Sequence, residues 1–158
     1  MTSEGQSIIY RKLGLPPPPD NLTMVFELVD MPGQCIPMVT PTGKSQPSLF
    51  GDKTKISICD KAVANEFHGF TTPFKVLVHE MTHSYFAYYG GLDYNMKPIE
   101  MKEGVALWTA GQTPATDFFK VPFHLRNQRW ERYLSYYQNF DIWLQRMSPK
   151  EITKYLLS

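Results

Sequence analysis

The sequence has little cysteine, no long hydrophobic run and no excess of charge of either sign. Its two cysteines, Cys35 and Cys59, are too few for a disulfide framework and form no Cys-x-x-Cys pair for a metal or redox centre. No run approaches the roughly 18 apolar residues of a transmembrane helix, and the first residues lack the basic and apolar regions of a secretion signal. These absences predict a soluble, cytoplasmic protein without a membrane partner.

The overall composition is that of a packed globular protein. Sixteen basic and fifteen acidic residues leave a formal net charge of +1, so no overall field would attract nucleic acid. The hydrophobic share of 42% and a length of 158 residues suit a single domain, which we place at residues 24–158. Residues 1–23 contain the proline run Pro16–Pro19 and predict an extended lead-in, either a strap over a cleft or a stiff leader.

The first half of this domain has strand patterns. Residues 24–30 and 35–40 are short runs rich in β-branched residues, and the turn residues between them predict a hairpin. Residues 41–52 are rich in Pro, Gly and Ser and predict a loop. Residues 53–59 alternate polar and apolar side chains, which predicts a third strand at the edge of the sheet.

The second half has helix patterns. Thr72-Pro73 is an N-cap followed by proline, and Gly90-Gly91 is a stop signal, so a helix is predicted between them. Further helices are predicted from Pro98 to before Gly111 and over residues 122–147, the last with a buried stripe of Trp130, Leu134, Tyr137 and Leu144. A capping box at Ser148 starts a short terminal helix. The predicted fold class is α+β, a small antiparallel or mixed sheet followed by helices.

The first helix contains a candidate metal site, His79-Glu80-x-x-His83. On a helix, four-residue spacing places both imidazoles on one face, about 40° apart, where they can bind one ion. Glu80 lies one step round the helix and can take a proton from water without ligating the metal. A lone histidine in an apolar helix is ordinarily a satisfied core residue, but three ionisable groups there need compensation. We predict one zinc ion as the cofactor.

A zinc site of this kind needs a third protein ligand. Asp93, Glu100 and Glu103 follow in the chain, and the returning helix decides between them. At about 1.5 Å per residue, a helix that starts at Pro98 descends by residue 103 to roughly the level of the histidines. Glu100 descends less far, and Asp93 lies in the turn. We therefore predict Glu103 as the third ligand, on a helix that Gly104 makes slim enough to approach the first one.

These residues carry a resemblance to a known family. The stretch Val76 to His83, followed after nineteen residues by Glu103-Gly-Val-Ala, resembles the gluzincin branch of the zinc metallopeptidases. Peptidase MA-like proteins and the small minigluzincins are the most similar members, over about residues 54–110. The resemblance implies a zincin-like domain with an active-site helix and a glutamate helix, in which Glu103 completes the ligand set.

The resemblance also implies a substrate-binding strand and excludes other branches. A strand before the active-site helix would bind a peptide in extended form, here through Ile56, Ser57 and Ile58. Phe86 and Tyr89 stand where metzincins would have Gly and His. Leu107 replaces the acid that thermolysin-like enzymes carry after the glutamate ligand, so the partner of the His79 ring stays unassigned.

The predicted function is hydrolysis of peptide bonds in peptides or protein segments by metal-activated water, with Glu80 as general base. A tyrosine or histidine would assist the oxyanion, and five residues qualify: Tyr94, His124, Tyr133, Tyr136 and Tyr137. One alternative is a catalytically silent zinc-binding domain that recognises peptides or regulates a partner. Another is a structural helical module that binds no metal.

Overall fold

The computed structural model of the chain describes residues 2–18, 23–29, 43–47, 53–59, 72–112, 123–126 and 128–158. Its strands are β1 (Thr23–Val29), β2 (Gly43–Pro47) and β3 (Lys53–Cys59). Its α-helices are α1 (Thr2–Leu13), α2 (Pro73–Asn95), α3 (Ile99–Ala110), α4 (Gln128–Leu144) and α5 (Pro149–Leu157), with a 3-10 turn at Phe123–Leu125 before α4.

The described part of the protein is mainly helical, and the predicted α+β class is wrong. Most described residues lie in helices. The buried core is formed mainly by helical side chains such as Val78 and Phe86, and the strand residue Ile56 also belongs to it. The short alternating runs predicted a sheet layer, but in the described part of the chain the apolar faces of the helices pack mainly against one another.

The strands pair in the order β1-β3-β2, with β1 parallel and β2 antiparallel to β3. β1 and β3 lie at predicted strand positions. β1, the first strand of the predicted hairpin, pairs in parallel with β3. The second strand, residues 35–40, lies outside the described residues, so the hairpin stays a prediction. β2 falls in the segment that was predicted to be loop.

The central strand is β3, so the prediction of an edge strand is also wrong. Ile56 is opposite Phe26 on one side and Ser45 on the other, and its side chain is fully buried. Ser57 and Ile58 are likewise paired on both sides. Because strand addition needs an open edge, the predicted substrate-binding role of Ile56, Ser57 and Ile58 does not fit this topology.

Helix α1 replaces most of the predicted extended lead-in. Ile9 and Leu13, four residues apart on one face, are buried in the core, and this burial stabilises a helix in a segment whose prolines begin only at residue 16. The Tyr89 hydroxyl on α2 donates to the carbonyl oxygens of Pro16 at 3.1 Å and Pro17 at 3.3 Å. The described part of the proline run is therefore fixed against α2.

Helix α2 begins and is interrupted where the sequence predicts. The Thr72 hydroxyl accepts a hydrogen bond from the Lys75 amide, and Pro73 is the first helical residue. Gly91 has a non-helical φ of 53°, after which the chain continues helically to Asn95. No helix in the described part of the chain is long and apolar enough to span a membrane.

Helices α3 and α4 pack in close contact through Gly104. A Cβ at Gly104 would overlap Phe140 and lie 3.0 Å from the Tyr136 carbonyl oxygen, both on α4. The sequence interpretation was therefore wrong about the neighbour of this glycine, since we expected α2. The left-handed Gly111 ends α3, and the capping box at Ser148 is confirmed at the start of α5.

Helix α4 is shorter than predicted and has a different buried stripe. It begins at Gln128 and not at residue 122. Trp130 and Phe140 are buried, whereas the other predicted members, Leu134, Tyr137 and Leu144, are half-buried. Phe140 packs near Trp108 of α3, with ring centroids 6.1 Å apart, so α4 faces α3 through residues that the predicted stripe omitted.

Candidate metal centre

Three side chains from α2 and α3 converge at one point. The Nε2 atoms of His79 and His83 are 3.1 Å apart. Glu103 Oε2 is 3.3 Å from His79 Nε2, and its Oε1 is 3.4 Å from His83 Nε2. One ligand atom from each residue lies within 4.8 Å of the others, and this group could hold a metal ion. The predicted ligands are thus brought together.

The local sequence explains this convergence. His79 and His83 share a face of α2 because they are four residues apart on a helix capped by Thr72. Helix α3 returns along α2 and brings Glu103 level with them, as its rise per residue predicts. Asp93 and Glu100, the rejected alternatives, are exposed. Glu103 is mostly buried, with 17% of its side chain exposed.

Both imidazoles have a second polar partner at Nδ1. Gln112, directly after the helix-ending Gly111, places its Oε1 2.8 Å from His79 Nδ1. The Tyr94 hydroxyl lies 2.8 Å from His83 Nδ1. If each Nδ1 carries the ring proton and donates to these oxygens, each Nε2 presents a lone pair to the other and to Glu103. Four electron-pair donors then face one another, and a cation or shared protons must lie between them.

The electrostatics of the site reflect this crowding. Burial by itself lowers the pKa of His79, but the hydrogen bond and negative charge of Glu103 outweigh it and raise that pKa. Burial favours the neutral form of Glu103, yet the two imidazoles hold the pKa of this carboxyl far below its ordinary value. Burial raises the pKa of Tyr94 well above 10, with Glu103 and Glu80 adding to the effect. Glu103 is therefore an anion and Tyr94 a neutral phenol at pH 7.

The donor types suit zinc, and each of the three short donor distances is close to one edge of a zinc tetrahedron. Zinc bonds of about 2.0–2.1 Å to nitrogen and similar bonds to oxygen imply ligand separations of about 3.3–3.4 Å along the edges of a tetrahedron. The two Nε2 atoms are 3.1 Å apart, and the distances of 3.3 and 3.4 Å run from them to different oxygens of Glu103, Oε2 and Oε1. Two imidazoles with one carboxylate also form the donor set of three-ligand catalytic zinc sites. The residues present therefore fit the ion that the motif predicts.

Glu80 lies beside this group in a cavity of about 210 Å³ that opens to solvent. The cavity is lined by Glu80, His83, Ala87, Tyr94, Asn95, Ile99, Lys102 and Glu103. Glu80 is 9% exposed, and no hydrogen bond or ion pair joins its carboxylate to another described residue. Its carboxylate is thus next to the ligands and available to a molecule in the cavity, as the sequence predicts for a general base.

Two tyrosines of α4, Tyr133 and Tyr136, lie near the ligands. The Tyr133 ring lies 6.5 Å from the His79 ring and 5.9 Å from the Tyr136 ring, measured between centroids. Burial raises the pKa of Tyr136, and the negative charge of Glu103 acts in the same direction. Of the five predicted oxyanion donors, these two and Tyr94 are near the ligands, whereas His124 is exposed.

Sequence reasoning missed the contacts that orient the histidines. Gln112 had no motif to mark it, although its position after the Gly111 stop signal places it at the end of the glutamate helix. Tyr94 was a candidate for a different role, and its contact with His83 depends on the interruption of α2 at Gly91. Neither contact follows from spacing alone, because each requires the chain to turn back after a glycine.

The described part of the proline run lies away from the ligands. Tyr89, which fixes Pro16 and Pro17, is six residues beyond His83 and therefore about 120° away around the helix axis. The strap over a cleft that was one reading of this run is not formed by residues 16–18.

Comparison with protein families, with curated proteins and with solved structures finds no match for this chain.

Proposed function

We propose that this protein is a zinc-dependent peptidase that cleaves peptides or unfolded segments. The observation that supports it best is the convergence of His79, His83 and Glu103 at donor separations of 3.1 to 3.4 Å, with Glu80 lining the same cavity. Two imidazoles and a carboxylate favour zinc over magnesium or calcium, which prefer oxygen ligands alone. Three protein ligands leave a fourth position for a substrate or water.

The chain's own residues supply the rest of the chemistry. When bound, the ion would polarise a carbonyl and make a coordinated water acidic near neutral pH. Glu80 accepts the proton at a carboxylate oxygen and returns it to the leaving amine, as a general base and then a general acid. A hydroxyl of Tyr133 or Tyr136 would stabilise negative charge that develops on the carbonyl oxygen.

The cavity restricts the form of the substrate. Its volume of about 210 Å³ is below the roughly 300–1,000 Å³ of drug-sized ligand sites, so it would hold only a small part of a substrate. Ala87 and Ile99 make part of its wall apolar, and Lys102 adds a positive charge. An extended peptide can place one carbonyl at the ligands with its flanking residues in solvent, so short peptides or unfolded segments suit the site.

The test separates metal binding from catalysis. Zinc-loaded protein is incubated with a mixture of unstructured peptides, and the products are identified by mass spectrometry. We expect the wild type to cleave, and Glu80→Gln to keep its zinc while losing cleavage by at least about 100-fold, as loss of a general base does. Glu100→Gln, an exposed glutamate on α3, is the matched control and retains cleavage.

Other outcomes decide against the proposal. Zinc binding at the three ligands without cleavage of any peptide would favour the catalytically silent alternative, a zinc-binding domain for recognition or regulation. Protein that binds no zinc would favour a structural helical module. Cleavage that persists unchanged in Glu80→Gln would show that a different group takes the proton.

A further inference from the structure

The structure assigns Gln112 and Tyr94 as positioning residues that fix both imidazoles with neutral acceptors, and we infer that this neutrality limits how tightly the site holds its ion. The inference rests on the metal site of the proposed function but not on peptidase activity. It is carried by the two Nδ1 contacts of 2.8 Å.

The position of Gln112 is determined by the end of the glutamate helix. Gly111 is left-handed, with φ of 70°, a conformation that glycine adopts without steric cost. The Gln112 amide then donates to the Leu107 carbonyl oxygen at 2.9 Å, and its side chain is buried beside His79. The same helix therefore carries Glu103, which would ligate the ion directly, and is followed by Gln112, which orients His79.

The position of Tyr94 depends on the interruption of α2. In a continuous helix, residue 94 would lie about 16 Å along the axis from His83, beyond the reach of its side chain. The non-helical Gly91 turns the chain back. The Tyr94 ring then stacks on Phe86 of the same helix, with centroids 5.4 Å apart and planes 13° from parallel, so its hydroxyl is held against His83 by a buried contact.

Both partners are uncharged, which has a chemical consequence. Metal-binding histidines usually donate Nδ1–H to a carboxylate, a backbone carbonyl or water, and a carboxylate raises the basicity of the ring. An amide or phenol oxygen also fixes the tautomer, but it raises the basicity of the imidazole ring less than a carboxylate does. Glu103 is then the one anionic group among the described ligands and their Nδ1 partners. We therefore expect the site to bind zinc with moderate affinity, and we expect the bound zinc to polarise its fourth ligand strongly.

The experiment measures zinc affinity by competition with a chelating dye, and the absorption spectrum of the cobalt-substituted protein reports ligand geometry. Gln112→Leu removes the acceptor for His79, and Tyr94→Phe removes the acceptor for His83 while keeping the ring stacked on Phe86. Each is expected to weaken zinc binding about 10- to 100-fold and to change the cobalt spectrum. Gln112→Glu, which supplies a carboxylate, is expected to bind zinc more tightly than the wild type.

The control is Tyr89→Phe, which removes a hydroxyl from the same helix that contacts Pro16 and Pro17. It is expected to leave zinc affinity and the cobalt spectrum unchanged. Wild-type affinity in both Gln112→Leu and Tyr94→Phe would overturn the positioning role. Zinc binding no tighter than that of the wild type in a folded Gln112→Glu protein would overturn the role of neutrality.

These outcomes are distinct from failure of the proposed function. A wild type that binds zinc and shows the expected variant series, yet cleaves no peptide, would refute the peptidase and leave this inference intact. A wild type that cleaves peptides while the variants keep full zinc affinity would refute this inference and leave the peptidase proposal intact. Circular dichroism of each variant identifies loss of folding, and the gain expected of Gln112→Glu cannot arise from misfolding.

Discussion

Replacement of Gly104 by alanine tests whether the packing of α4 against α3 sets the position of Glu103. A Cβ at this position would overlap Phe140 Cβ and lie 2.9 Å from Phe140 Cγ and 3.0 Å from the Tyr136 carbonyl oxygen. Comfortable carbon contacts are about 3.5–4.0 Å. The two helices must therefore separate by several tenths of an ångström or more, because a backbone carbonyl and a Cβ cannot rotate away.

The magnitude follows from two opposing effects. Alanine in place of glycine stabilises an exposed helix by about 1 kcal/mol, whereas overpacking of a well-packed contact costs about 1–3 kcal/mol. Since the obstacle is a backbone atom and a rigid Cβ, we place the cost near the upper limit and expect Gly104→Ala to lose about 2 kcal/mol of unfolding free energy. The displacement of α3 also moves Glu103 and weakens zinc binding.

The control is Gly5→Ala, which brings the same helix propensity to α1. A Cβ there meets Met81 Sδ at 3.0 Å and Cε at 3.4 Å, the far end of a flexible side chain that can move aside. We expect stability and zinc affinity equal to or above those of the wild type. Chemical denaturation and dye competition measure both quantities. If Gly104→Ala matches Gly5→Ala in stability, the close approach of α3 and α4 is refuted.

Two further predictions concern the helix ends. Thr72→Ala removes the acceptor for the Lys75 amide and should lower the unfolding free energy by about 1 kcal/mol in chemical denaturation; no loss would mean that this cap does not hold α2. The Ser148 amide and hydroxyl hydrogen bonds lower the pKa of Glu151, so its stabilisation is complete above the ordinary glutamate pKa and is lost as pH falls through the lowered one. Glu151→Gln should therefore melt below the wild type at pH 7, and the difference should close below about pH 4. A constant difference at all pH values would exclude a charged cap.

The metal ligands could be predicted because helical geometry is local. Four-residue spacing fixes His79 and His83 on one face, and the constant rise of a helix ranks Glu103 above Glu100. Capping signals such as Thr72 and Gly111 mark helix ends for the same reason. These features need information from a few neighbouring residues only, and the structure contains each of them.

The rest of the fold depends on distant partners. The pattern of β3 predicts a strand but cannot tell whether both of its edges are paired, since pairing is decided by β1 and β2. The prolines that follow α1 led to the prediction of an extended segment, so the apolar stripe of α1 was not recognised. Its burial against α2 is a tertiary contact that only the structure establishes. Gly104 was correctly identified as a site of close approach, but its neighbour proved to be α4.

The most direct test of the account is the location of a metal ion by anomalous X-ray scattering at the zinc edge, in crystals of protein purified without chelator and supplied with zinc. We expect one strong peak about 2.0–2.2 Å from His79 Nε2, His83 Nε2 and a Glu103 carboxylate oxygen, and its loss in Glu103→Ala. A peak elsewhere, or none at saturating zinc, would contradict the claim that these three side chains form a metal site.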